Sequence, residues 1–399
     1  MPIFLLYAAC AFASGFALRL VDPVVLPVAA HFGITPAVAA MLNTAYALPY
    51  ALAQPFLGPL GDRFGKPRCI QVCVAGLAAM LLLGVFATSF PALLATRICA
   101  GIFAGGLIPL VLAGLGDAYG MAERQVMIGR MLFAIIAGQM LGSVASGLAS
   151  DAFGWRSSLV MAATVGTLAA AIAWLAMPRG ASANAPRASG SFAAMYGRVF
   201  ANPKAGWLYA CVLVEGAAFY GLFPFMSELL LATTGAPASA IPVHTGLVLG
   251  AFGVGGLLYA FSVRALLRRL GMRRMCLVGS VGGALCYAAL SVLPFWWLGA
   301  VAMFAAGVMF YMLHNSMQTE ATELAPTARG SAVALFACGF FLGQGLGPLV
   351  FGALLHAFGP RPALLVLAAV VVVLGRVVVA RVVDRRGAAP AAAQGVDRT

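Results

Sequence analysis

Long, nearly charge-free apolar stretches recur along the whole chain, and no other feature limits its folding more. Twelve can be marked, at 3–22, 37–60, 69–88, 91–114, 127–149, 156–177, 206–231, 242–264, 274–293, 295–317, 331–355 and 362–382. Each is about the length of helix that crosses a bilayer. The runs are continuous, so the alternating ten-residue segments of a membrane β-barrel are excluded. Composition agrees: 63% of the 399 residues are hydrophobic and 9% are charged, against about 25% charged in soluble domains. A soluble enzyme would leave too much apolar surface uncovered. The expected fold is an all-α membrane protein of twelve transmembrane helices.

The formal charge of +13 points to topology, not to nucleic acid. Nineteen of the 24 basic residues fall in alternate connections. These include Arg63, Lys66 and Arg68 after the second span and the Arg264–Arg274 cluster after the eighth. The other connections hold only Arg156 and Arg361, while Arg19, Arg97 and Arg376 lie inside spans. Basic loops stay in the cytoplasm, so both termini are expected there, in the inner membrane of a bacterium. The N-terminal run reads as an uncleaved first helix. Cys10, Cys69, Cys73, Cys99, Cys211, Cys276, Cys286 and Cys338 lie within or at the ends of spans and read as small packing residues, with no metal site.

One connection is different. Residues 178–205, rich in Ala, Ser, Pro and Gly, split the spans six and six. The expected organisation is a six-helix bundle over 1–178, a cytoplasmic linker over 179–205, a second bundle over 206–384 and a tail over 385–399. Phe192, Met195, Tyr196, Val199 and Phe200 recur at helical spacing in the linker, which suggests a short interfacial helix. The halves repeat at an offset of about 206, pairing Gly15 with Gly221, Asp22 with Glu228, Gly65 with Gly271 and Gly101 with Gly307. A later offset of 205 pairs Gly138 with Gly343, Gly142 with Gly347 and Arg156 with Arg361. An even number of spans per half makes the repeats parallel, a transporter plan whose site lies between the halves.

Charged and polar residues inside spans mark that site, because each is costly in hydrocarbon. Arg97 and Asn43 lie at similar depth, roughly 9 Å from the outer ends of their spans. Arg19 lies one turn from Asp22 on the same face. Together Arg19, Asp22, Asn43 and Arg97 are expected to form one polar layer, as a substrate or proton site or as a structural ion pair. Glu215 lies near the midplane of span seven, with no basic residue within two turns. Read as unpaired, it is a proton site, a partner for a cationic cargo, or a neutral carboxyl on a backbone carbonyl. Gln139 and Gln344 are placed to bond cargo or each other. His314 and Asn315 either line the cavity or end their helix. Phe219, Tyr220, Phe223, Phe225, Phe252 and Tyr259 are candidates for an apolar cavity wall. Glu228, His31, His244 and His356 are expected in contact with solvent.

Between spans two and three runs Gly58-Pro-Leu-Gly-Asp62-Arg63-Phe-Gly65-Lys66-Pro-Arg68. It is not a phosphate loop, since Gly61 and Gly65 are too close, Pro67 follows the lysine and no strand precedes it. It resembles the cytoplasmic signature of the major facilitator superfamily, G-x-x-x-D-R-x-G-R/K-K/R, with Pro67 at a usually basic position. The resemblance extends over nearly the whole chain. Arg97-x-x-x-Gly101 resembles the second motif, with Ala100 where Gln is common. Gly138-x-x-x-Gly142-Ser143-x-x-Ser146-Gly147 resembles the glycine motif of proton-driven exporters, with serines for Pro and Gly. Its copy, Gly343-x-x-x-Gly347-Pro348, keeps the proline. Asp22-Pro23 looks like the end of the first helix in drug–proton antiporters.

The resemblance implies two bundles that alternate access to a central site, and an Asp62 facing the start of span eleven near Gly330 and Ser331. Arg63 or Arg68 is expected to reach Asp117 as part of the same gate. The implied activity is export of a small apolar or cationic compound in exchange for protons, by a monomer, without cofactor and without catalysis. A metabolite or sugar carrier of the same fold, and a membrane receptor, are the alternatives. No ATP-binding motif is present, so an ion gradient is the expected energy source.

Overall fold

The computed structural model describes residues 3–177, 192–325 and 329–383, excluding side chains at 58, 59, 62, 121, 122, 124, 125, 192–195 and 329. No strand occurs among the described residues. The first half comprises α1 (Ile3–Arg19), α2 (Val25–Phe32), α3 (Pro36–Phe64), α4 (Lys66–Val85), α5 (Phe90–Gly105), α6 (Leu107–Ala118), α7 (Met121–Phe153) and α8 (Arg156–Ala176). After α9 (Phe192–Phe200) come α10 (Ala205–Tyr220), α11 (Met226–Thr234), α12 (Ile241–Leu290), α13 (Trp296–Glu323), α14 (Arg329–Phe358) and α15 (Pro360–Val377).

Among the described residues, ten helical segments are long and apolar enough to cross a bilayer. One of them, Ala238–Leu290, makes two passes. It breaks at Gly271, whose φ of 68° and ψ of 165° leave the helical region, and Tyr259 and Met275 on its two arms then pack together. Such a backbone suits glycine, which has no Cβ to clash. With α3, at 29 residues, the passes number twelve. The matching hairpin in the first half turns at Gly65, φ 88°.

Local chemistry sets the ends. Thr35 caps α3 by accepting from Val38 N at 3.3 Å, and Ser89 caps α5 by accepting from Ala92 N at 3.4 Å. Both satisfy amide groups that a helix start leaves unpaired. The first span is longer than the sequence reading placed it and it is broken. α1 stops at Arg19, a short 3-10 turn covers Asp22–Val24 with Pro23 in it, and α2 completes the pass. The seventh span breaks the same way, at Phe223–Phe225 with Pro224.

This corrects the repeat register in these two spans. A Cβ on Gly15 would stand 3.2 Å from Gln139 N, and one on Gly216 would stand 3.1 Å from Gln344 N. Gly15 therefore corresponds to Gly216, not Gly221, and Asp22 corresponds to Phe223, not Glu228. The offset is 201 there and 206 at Gly101, which backs onto the Tyr46 carbonyl as Gly307 does onto that of Phe252. The lengths of the intervening connections absorb the difference.

The halves meet along two seams. In one, α7 crosses α12: Gly147 backs onto the Pro242 carbonyl, and a Cβ on Gly246 would lie 2.7 Å from Ser143 O. In the other, α3 crosses α14: Thr44 Oγ1 donates to Gly345 O at 2.8 Å, and the Tyr50 and Phe341 rings lie 4.3 Å apart. A third tie, Ser227 Oγ to Pro23 O at 3.3 Å, joins the two broken spans. The end of the molecule that carries Gly65 and Gly271 is the basic end. Residues 178–191 and 384–399 lie outside the described residues. Of the linker, α9 is helical as the spacing predicts, with Val199 buried and the Phe200 ring 5.6 Å from Tyr209.

Candidate transport site

The break at the end of α1 leaves carbonyl groups without helical partners. Polar side chains from other helices converge on them. Arg97 Nη1 donates to Ala17 O at 3.0 Å and its Nε to Leu42 O at 3.4 Å, while its guanidinium stacks 4.2 Å over Tyr46. Ser143 Oγ donates to Arg19 O at 3.5 Å, and Ser146 Oγ donates to Leu20 O. The two serines that depart from the glycine motif thus satisfy the broken helix. Their counterparts in α14 are Pro348 and Phe351, and Phe351 instead packs 5.7 Å from the Phe225 ring. Sequence reasoning marked both serines as departures and missed their role.

The expected polar layer is present. Arg19 Nη1 lies 3.7 Å from Asp22 Oδ2. Arg19, Arg97 and Asn43 are the groups that act on the Asp22 carboxylate, which is fully buried. The layer also reaches the other half, which the sequence did not reveal: Arg19 Nη2 donates to Gln344 Oε1 at 2.5 Å. Gln344 therefore bonds Arg19, not Gln139. Arg19 also lies 4.2 Å over the Tyr220 ring and 5.0 Å from Phe223. It helps line a narrow cleft between the halves, with room for about 20 Å³ and with Gln139, Ser143, Tyr220, Phe223, Phe252 and Tyr311 in its wall. Of the aromatic candidates, Phe219 and Phe225 pack in the core.

Glu215 is not unpaired. Its Oε2 lies 2.8 Å from His314 Nδ1, and the carboxylate is fully buried with Oε1 unbonded. The His314 ring sits among Phe310, Phe336 and Phe340, with centroids 5.1, 5.1 and 4.6 Å away. His314 therefore belongs to the interior, not to a helix end. Asn315 Nδ2 donates to Tyr259 OH at 2.9 Å. Two other readings change: Glu228 is half-buried with an unbonded Oε2, and half-buried His244 stacks on Trp296 at 4.4 Å.

At the basic end, Lys66 Nζ donates to Asp117 Oδ2 at 2.6 Å. Neither arginine holds that place: Arg63 is exposed over Phe64 at 5.3 Å, and Arg68 is exposed. Lys66 opens α4 directly after the Gly65 turn, which brings it toward α6 and Asp117. The Asp62 side chain lies outside the described residues, and Gly58 is part of the same stretch. The glycines of the repeated motif are points of backbone contact. Gly138 backs onto the Phe12 carbonyl, a Cβ on Gly142 would stand 3.0 Å from Phe16 Cα, and Gly343 and Gly347 face Ala217 and Gly221 likewise.

Among the described residues, twelve helical passes in two repeated halves, meeting at a cleft lined by Arg19 and aromatic rings, give the plan of a polytopic membrane carrier. Residues 7–329 match the family model described as Major Facilitator Superfamily, and the chain belongs to that family. It is similar to an MFS-type transporter, YceJ, of Bacillus subtilis, with 24% identity over 353 residues covering 88% of each chain. It is also similar to the probable transporter SCO4007 of Streptomyces coelicolor, with 30% identity over 87% of this chain and 81% of that one. Part of it, 41%, matches 33% of the sphingosine-1-phosphate transporter SPNS2 of Danio rerio at 28% identity. The fold is shared with the nucleoside transporter NupG (TM-score 0.78, 16% identity, 96% of this chain and 99% of that one). It is shared too with a bacterial homologue of the lysosomal transporter Spinster in an inward-facing, occupied conformation (TM-score 0.77, 19% identity, 98% of each). The chain is a multi-pass membrane transporter.

Proposed function

We propose that the chain is a secondary active transporter that exports a small, largely apolar or cationic compound in exchange for protons by alternating access. One observation carries the reading: each half holds a fully buried carboxylate, Asp22 and Glu215, beside a basic partner at the level of the cleft. A buried carboxylate beside a base has two stable conditions, charged and paired or protonated and neutral, and exchange of cargo for protons needs such a group. Asp22 has a route to the whole molecule, because Arg19 lies 3.7 Å from it as an ion pair within one half and bonds Gln344 across to the other. With Asp22 charged, Arg19 is drawn toward it. With Asp22 protonated, Arg19 is left to Gln344, which ties the halves. A proton thereby biases a two-state element, as coupling demands.

The proposed site comprises Asp22, Arg19, Arg97, Asn43, Gln139, Gln344, Glu215, His314 and Asn315. The gate comprises the Gly58–Arg68 loop with Asp62 and Asp117. Both termini and residues 179–205 are assigned to the cytoplasmic side of the bacterial inner membrane, with bundles over 1–178 and 206–384 acting in a monomer. The aromatic wall of the cleft supports an apolar cargo. A second reading, a metabolite carrier that takes proton and cargo together, is favoured by Arg19, whose guanidinium faces the cleft and would bond an acceptor on the cargo.

One experiment separates them. Purified protein in weak buffer is mixed with a panel of organic cations, neutral amphiphiles, nucleosides and organic acids while pH is followed. Proton release on binding supports exchange, and proton uptake supports the second reading. Saturable binding without proton movement overturns both.

A further inference from the structure

An unpaired buried polar group costs about 1–3 kcal/mol, so native interiors hold few of them. Among the described residues, the first half gathers most of its own into a column. Asn43 Nδ2, Tyr46 OH, Tyr50 OH and Gln54 Oε1 are buried and bond to no protein group. They lie at steps of three and four residues along α3, hence on one face, over roughly 16 Å. At the upper end stand both Asp22 oxygens and Arg97 Nη2, equally unbonded. In the middle, Ser14 of α1 lies close enough to act on both tyrosine hydroxyls, yet its own Oγ completes no bond.

The column continues toward the basic end. Tyr7 lies two turns before Ser14 on the same face of α1, and a Cβ on Gly114 would come within 2.7 Å of its hydroxyl. Asp117, one turn further along α6, is 53% exposed.

The repeat supplies an internal control. At the register fixed by Gly101 and Gly307, the second-half counterparts of Asn43, Tyr46, Tyr50 and Gln54 are Leu249, Phe252, Gly256 and Ala260. The fold is built there without a polar face, so packing does not require the first half's polar face. Buried polar groups that the protein leaves unpaired, with several polar neighbours at each position, are where buried water settles.

We propose that this column is a hydrated proton path joining Asp22 to the basic end, separate from the cleft that takes cargo. The proposal rests on the proton-coupled reading above. The Asp22 carboxyl O–H breaks and the proton passes to a neighbouring oxygen. Each hydroxyl or water accepts one proton and gives up another, so no tyrosine ionises. The proton finally forms an O–H bond on Asp117 or a solvent water. The Asn43 and Gln54 amides hold water in line without relaying. Arg19 and Arg97, the cations facing Asp22, set the condition in which it lets go.

The test is a stopped-flow pH jump on the full-length protein in detergent. Asp22 protonation is read from the infrared carboxyl C=O band that Asp22→Asn removes. In Tyr46→Phe/Tyr50→Phe, which keeps both rings, the endpoint should stand and the rate fall about tenfold or more, as for loss of a positioned proton carrier. Ser14→Ala, with one atom removed, should slow the rate in the same direction and serves if the double variant does not fold. Wild-type rates in both variants would overturn the path and leave proton coupling at Asp22 standing. A chain with no titrating Asp22 band at any pH would overturn both.

Discussion

Glu215 on α10 and His314 on α13 meet at 2.8 Å inside the second half, though 99 positions separate them in the chain. The carboxylate is fully buried and the imidazole nearly so, at 13% exposure. The two ways of disrupting the pair should therefore differ. Glu215→Gln keeps a hydrogen-bonding oxygen for His314 and removes only the charge. It should leave the thermal unfolding midpoint close to wild type while proton-driven transport falls at least about tenfold. His314→Leu strands a buried carboxylate and should cost about 3–5 kcal/mol. Similar midpoints for the two variants would show that the pair carries no charge interaction.

Asp22→Asn should likewise abolish transport driven by a proton gradient and leave counterflow of cargo intact. If Asp22→Asn and Glu215→Gln both transport normally under a gradient, neither carboxylate is the coupling group.

Arg97 does three things at once: it bonds two carbonyls and stacks on Tyr46. A lysine supplies a point charge and no planar fork. Arg97→Lys should lower stability by about 2 kcal/mol through the carbonyls it leaves unpaired. Denaturant titration of the detergent-solubilised protein measures this, and an unchanged midpoint would mean that water replaces the guanidinium without loss.

The seam between α7 and α12 has no room for a methyl group at Gly246, where a Cβ would lie 2.7 Å from Ser143 O. Gly246→Ala should cost the present closed arrangement about 1–3 kcal/mol and shift the population toward a conformation with this seam parted. A single cysteine at Ser227, buried where it bonds Pro23 O, should then react faster with a water-soluble maleimide. An unaltered rate would place the moving contact elsewhere.

At the basic end the Lys66–Asp117 bridge is half-exposed, and such pairs contribute about 0.2–1 kcal/mol. Lys66→Ala should hardly change unfolding. Asp62→Asn, by contrast, should slow turnover more than it weakens binding, because a helix N-terminus is stabilised by a carboxylate. Reporter fusions at positions 190 and 395 test the orientation that all of this assumes, and both should read cytoplasmic.

Much of the fold was legible because the bilayer makes apolar length informative: each span is announced by its own residues. The polar layer of Arg19, Asp22, Asn43 and Arg97 was legible for the complementary reason, since charge in a span is too costly to be incidental. Pairings across the chain were not. His314 on Glu215, Gln344 on Arg19 and Lys66 on Asp117 depend on how helices face one another, and no spacing rule connects residues 51 to 325 positions apart. The repeat register failed in the first and seventh spans for a related reason. Glycines align easily at several offsets, and only their backbone contacts with α7 and α14 decide among them. Ser143 and Ser146 looked like losses from a motif until the carbonyls they serve at the end of α1 were visible.

The bond from Arg19 to Gln344 has a consequence for biogenesis. The guanidinium enters the bilayer with the first helix, and its amide partner is made 325 residues later. At roughly 5–20 residues per second, ribosomal synthesis of that stretch takes on the order of tens of seconds. Through that interval Asp22, three positions away, is the counterion already at hand, and the nascent first half must shelter both charges by itself. The bridge to Gln344 can form only after α14, the eleventh span, has left the insertion machinery, so it closes the molecule as one of the last acts of its assembly.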